Sequence, residues 1–98
     1  MVIHFDNVQL ESLCSKWKIV ELALFGSALT DRFRATSDID VVVTFAVDAP
    51  WNLWDLSALR LELAELFGRP VDLLEKQAIQ NPFVRHEILS TLRVIYAA

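Results

Sequence analysis

Apolar strand-like segments alternating with helical ones, with acidic residues set inside the strands, predict a mixed α/β fold. The expected form is a small, partly antiparallel sheet carrying the acids on one face, with helices packed on the other. Three observations point to it. Ile19–Phe25 and Ile39–Phe45 are short, nearly continuous apolar runs of strand length. Leu53, Leu56, Leu59, Leu63 and Leu66 recur at the spacing of one helix face. Glycine occurs only at 26 and 68 and proline only at 50, 70 and 82, so the few chain-breaking residues mark the boundaries.

The elements follow in order. Asn7 to Trp17 places Val8, Leu10, Leu13, Cys14 and Trp17 at helical spacing and predicts a first helix. Ile19–Phe25 is a buried strand ended by Gly26-Ser27, and Ala28–Arg34 reads as a helical turn or short helix. Ile39–Phe45 (IDVVVTF), rich in β-branched residues, is the strongest strand. Asp48-Ala49-Pro50 opens a helix running to Phe67, with Gly68 as the residue that turns the chain out of it. Pro70 to Leu74 is a third strand, Asn81-Pro82 starts a last helix through Ser90, and Arg93–Tyr96 forms a terminal strand. No repeat, low-complexity tract or linker interrupts the chain, so residues 1–98 are expected to be one domain.

Composition narrows the partners. Hydrophobic residues make up 54% of the 98 residues, enough for a substantial core and a surplus that could cover a partner. The formal net charge of −4 provides no basic field for a nucleic acid backbone, so direct nucleic acid binding is not expected. A single cysteine, Cys14, cannot close an internal disulfide and reads as a small buried hydrophobe. No apolar run approaches the ~20 residues needed to span a bilayer. The first residues carry no basic leader, so a cytoplasmic location and no membrane partner are expected.

The chemistry is concentrated in five positions. Gly26 ends a strand where backbone must turn with positive φ or pass close to a ligand, and Ser27 offers a hydroxyl and an N–H at the start of the next turn, a favourable place for phosphate. Asp38 and Asp40, two apart at the start of a strand, project to one face about 6.5–7 Å apart along the backbone. Asp72 is a third charge within PVDLL. Carboxylates beside apolar strands repel one another and lose hydration, and Mg²⁺ with triphosphate oxygens would compensate both costs. Taken singly, Asp38 serves equally well as a cap, and Asp72 as an edge-strand charge that blocks aggregation.

The run Leu24-Phe25-Gly26-Ser27, ten residues, then Asp38-Ile39-Asp40-Val41, resembles the signature of the DNA polymerase beta-type nucleotidyltransferase superfamily in its minimal (MNT) branch. Asp72 falls where that family carries its third carboxylate. The resemblance implies a nucleotidyltransferase-like fold in which Gly26 and Ser27 bind the triphosphate and Asp38 and Asp40 hold metal ions. Asp72 would complete the second metal site and help deprotonate the acceptor hydroxyl. It further implies ATP and Mg²⁺, AMP transfer to a protein tyrosine, and an antitoxin that partners a HEPN-domain ribonuclease toxin, in a homo- or hetero-oligomer.

One stretch departs from the family pattern. Where Gly-Ser-Arg-Ala-Arg-Gly is common, this chain has Gly26-Ser27-Ala28-Leu29-Thr30-Asp31, losing two positive charges and gaining a negative one. Arg32 and Arg34 either restore that charge from a shifted position or lie on a solvated face. Three readings therefore compete: an active protein adenylyltransferase, a weakly active member that neutralises its partner by occlusion, and a transferase to small molecules, which would need a second domain. His4 and His86 lack partners at ligand spacing and read as non-catalytic, and Trp51 and Trp54, three apart at a helix start, are expected to pack in the core, with a partner-facing aromatic patch as the alternative. Arg60, Glu62 and Glu65 read as exposed helix charges.

Overall fold

The strand Ile39–Phe45 (β2) is the element on which the others are assembled in the computed structural model, which describes residues 3–26 and 38–98. Its neighbours are Ile19–Phe25 (β1), antiparallel, and Val71–Glu75 (β3), parallel. A fourth strand, Arg93–Ala97 (β4), pairs antiparallel with β1, giving the order β3-β2-β1-β4. The helices are Asn7–Lys16 (α1), Leu53–Phe67 (α2) and Pro82–Thr91 (α3), with a 3₁₀ turn at Lys76–Ala78. The predicted turn or helix at Ala28–Arg34 lies outside the described residues.

The near-continuous apolar run of β2 is explained by burial on both faces. Ile39, Val41, Val43 and Phe45 join Leu22 and Leu24 of β1 in a core closed by Leu10 and Cys14 of α1 and Leu59 and Leu63 of α2. On the opposite, acid-bearing face, Val42 and Ala23 form a smaller cluster with Ile79 and Ile88. So α1 and α2 cover one face, as expected, whereas α3 lies partly over the other. Arg85 ties α3 to the 3₁₀ turn by donating to the Lys76 carbonyl at 2.9 Å.

Local chemistry sets the helix ends. Asp6 accepts from the Gln9 N–H at the start of α1, and Asn81 accepts from Phe83 and Val84 at the start of α3, with Pro82 in the first turn. The start of α2 corrects the sequence expectation. Asp48-Ala49-Pro50 stays outside the helix, and Asn52 caps it in a reciprocal box with Asp55, both hydrogen bonds at 3.0 Å. Gly68 ends α2 at φ +69, the left-handed conformation glycine adopts without penalty.

The later start of α2 separates the two tryptophans. Trp51 sits before the helix, packs edge-on against Trp17 at 4.9 Å and donates from Nε1 to the Trp17 carbonyl at 2.7 Å. Trp54, expected in the core, is 84% exposed, and Leu53, expected on the buried face, is 82% exposed. His4 and His86 are exposed. Glu62 is not free in solvent: it pairs with Lys16 of α1 at 2.9 Å and joins the two helices. No helix among the described residues is long and apolar enough to cross a membrane.

Two predictions follow from this packing. Asn52→Ala removes the α2 cap and should lower unfolding free energy by about 1 kcal/mol in denaturant titration; an unchanged midpoint would place the start of α2 elsewhere. Cys14 is fully buried, and that burial pushes its thiol up to about 12. A raised native value means that the neutral thiol favours folding below the ordinary thiol range, about 8.5, and that this contribution is lost as pH rises toward 12. The native thiol should resist iodoacetamide at pH 8 and react only on unfolding, and the parent should lose more stability than Cys14→Ala between pH 9 and 12.

Candidate active site

The acids meet because two strands run in register. The Ile39 N–H donates to the Pro70 carbonyl at 2.9 Å, joining the entries of β2 and β3, and Ile39 then pairs with Val71. One residue further on, Asp40 is the register partner of Asp72. Adjacent strands lie about 4.8 Å apart, and partnered residues face the same side, so the two carboxylates project together. The face is defined by their neighbours: Ile39, Val41 and Val71 on either side point into the larger core. Asp40 is half-buried and Asp72 exposed.

β1 supplies the third wall. Phe25 is the antiparallel partner of Asp40, and Gly26 follows at the end of the strand with φ +65. A β-carbon added to Gly26 would stand 2.5 Å from Oδ2 of Asp40 and 3.3 Å from its Cγ. The end of β1 therefore passes beside the Asp40 carboxylate with no side chain of its own between them. Asp38 lies exposed just outside β2, two residues before Asp40. Ser27, Arg32 and Arg34 lie outside the described residues.

Among the described residues, no three His, Cys, Asp or Glu side chains are gathered closely enough to hold a metal ion by themselves. Mg²⁺ seldom needs such a cage. It commonly takes one or two carboxylates and completes its shell with substrate phosphates and water. A register pair of hard carboxylates, one of them set in a space that a Cβ would fill, fits that mode of binding. β3 is also the edge of the sheet, where an exposed acid discourages strand addition, so Asp72 has a structural use beside any chemical one.

Among the described residues, the best-formed depression lies away from the acids. A depression of about 340 Å³ lined by Phe45, Trp51, Leu56 and Glu75 lies at the far end of β2 from Asp40. The acid end is identified instead by the convergence of charge and strand register.

Sequence reasoning singled out Gly26, Asp38, Asp40 and Asp72 and expected the acids to converge if the third strand lay beside Ile39–Phe45, but missed the proximity of Gly26 to Asp40. Its signal, the β1–β2 register, depends on pairing across an intervening loop. It also missed Ile79 and Ile88, which cover the acid-bearing face below the carboxylates; the apolar pattern of β2 on both faces was the available clue.

A four-stranded sheet with a parallel acid-bearing pair beside a glycine-ended strand is the frame of the nucleotidyltransferase fold, and comparison with known proteins agrees. The nucleotidyltransferase domain family matches residues 7–95. The chain is 37% identical over 76 residues to "Putative protein adenylyltransferase MJ1217" of Methanocaldococcus jannaschii, covering 78% of this chain and 76% of that one. The crystal structure of a toxin–antitoxin with AMP-PNP contains a chain that superposes with a TM-score of 0.74 at 19% identity, covering 95% of this chain and 74% of that chain. A chain from the complex of a tri-AMPylated Shewanella oneidensis HEPN toxin with its MNT antitoxin superposes at 0.66 with 18% identity, covering 94% and 70%. At those identities the two structures show the shared fold. The protein belongs to the nucleotidyltransferase domain family.

Asp72→Asn should raise the melting temperature in EDTA at low ionic strength, since like charges on facing positions oppose folding by about 0.2–1 kcal/mol. Thermal unfolding at two salt concentrations checks this. A gain that is unchanged by salt, or a loss in EDTA, would mean that the two carboxylates do not confront each other.

Proposed function

We propose that the chain transfers AMP from ATP to a hydroxyl of a protein acceptor in a Mg²⁺-dependent reaction, and that the acceptor is a HEPN-domain toxin to which it is the antitoxin. The observation that carries this reading is the register of Asp40 with Asp72 against the end of β1. The protein-acceptor part is supported by the relative named as a protein adenylyltransferase, and the HEPN part by the fold shared with a chain from the HEPN–MNT complex.

In this reading Asp38, Asp40 and Asp72 hold Mg²⁺, and Gly26 and Ser27 receive the triphosphate. Bound Mg²⁺ would neutralise phosphate charge and favour both the entering and the leaving oxygen. The acceptor oxygen forms a bond to the α-phosphorus as the bond to pyrophosphate breaks, and Asp72 takes the hydroxyl proton. The rate gain comes from alignment and fixed charge rather than from a covalent enzyme intermediate. The exposure of Asp72 at the sheet edge leaves its outer side open to a large acceptor.

A second reading is favoured by one specific feature, the loss of two basic residues in Ala28–Asp31: the chain keeps the acids but neutralises its partner mainly by occlusion. Incubation with α-labelled ATP, Mg²⁺ and a HEPN-domain protein encoded beside it separates the two. The transferase reading predicts label on the partner, reduced about 100-fold or more by Asp38→Asn. A tight complex without label would leave occlusion, and label undiminished by Asp38→Asn would remove Asp38 from the chemistry.

A further inference from the structure

The two glycines of this chain both have positive φ but differ in their surroundings. Gly68 has φ +69, and a Cβ built there meets nothing within 4 Å. Gly26 has φ +65, and its Cβ would meet Oδ2 of Asp40 at 2.5 Å, Cγ at 3.3 Å and Cβ at 3.5 Å. Backbone freedom alone therefore explains Gly68, whereas Gly26 also leaves empty the volume into which the Asp40 carboxylate is set.

An added Cβ would meet more than the tip of Asp40, since Cγ would stand at 3.3 Å as well as Oδ2 at 2.5 Å. The Asp40 side chain has two torsions, and Phe25 is its partner on β1. On the other side its partner is Asp72, so a shift toward β3 brings like charges together. The flanking Ile39 and Val41 are fully buried and hold the backbone in place.

We infer that Gly26 is a positioning residue for Asp40: its missing side chain fixes where the Asp40 carboxylate points, and through that carboxylate it sets metal affinity. This goes beyond a phosphate-contacting role for Gly26 and rests on the proposed metal role of Asp40. Any side chain at position 26 moves the carboxylate from its present place or displaces the end of β1.

Two measurements test this. The first is a stability cycle with Gly68→Ala as the reference for backbone strain alone, expected to lower the melting temperature by about 4–8 °C. Gly26→Ala should lower it further, and the excess should vanish in an Asp40→Ala background, where the obstructing oxygen is gone. Equal losses in both backgrounds would overturn the contact. The second is binding of AMP-PNP titrated against Mg²⁺. Gly26→Ala should raise the Mg²⁺ concentration for half-maximal binding about 10- to 100-fold, as loss of a group that orients a metal ligand does, and add nothing to Asp40→Asn. A loss of equal size with and without Mg²⁺, additive with Asp40→Asn, would mean that Gly26 acts on phosphate directly and would overturn the inference. Full Mg²⁺ dependence in Asp40→Asn would refute the metal role of Asp40 while the stability cycle still judged the contact. A parent chain without Mg²⁺-dependent binding would overturn both.

Discussion

The parallel pairing of β2 with β3 is the constraint on which the site depends. One hydrogen bond, from the Ile39 N–H to the Pro70 carbonyl, joins the two strand entries, and the register that follows sets Asp40 against Asp72. A slip by one residue would send one carboxylate into the core that holds Val41 and Val71. The apolar residues between the acids thus do more than fill space. They make a one-residue slip costly, because it buries a charge.

That constraint explains the division of labour among the helices. α2 connects β2 to β3 and must return the chain to the same end of the sheet, which its fifteen residues and the Gly68 turn accomplish. Leu59 and Leu63 bury it against the sheet. α3 meets the opposite face through Ile88, low on the strands beside Val42, and so covers the apolar part of that face while Asp72 stays exposed. Among the described residues, the helical packing on this face stops short of the acids.

Much of this was legible in the sequence. The bounds of β1 and β2 follow from apolar runs alone, and the Gly68 stop and the Asn81-Pro82 start from local backbone chemistry. The α2 start was misplaced because Pro50 stood out, although Asn52 and Asp55 carry the reciprocal cap three residues apart. Trp54 was expected inside from a helical spacing with Trp51 that no longer applies once Trp51 lies before the helix. The site residues could be named from spacing and residue type, and adjacent acid-bearing strands could be expected, but the residue-by-residue pairing could not. Asp40 opposite Asp72, and Gly26 against Asp40, arise from pairing between segments far apart in the chain; the local alternation fixes which face the acids take but not which residues pair.

A crystal structure of the chain with Mg²⁺ and a non-hydrolysable ATP analogue tests the central claim most directly. The account predicts a cation bound to Asp40 and Asp72 and to the phosphates, with the triphosphate beside Gly26. Analogue bound elsewhere, or Asp72 turned away with no space for a cation beside Asp40, would contradict it.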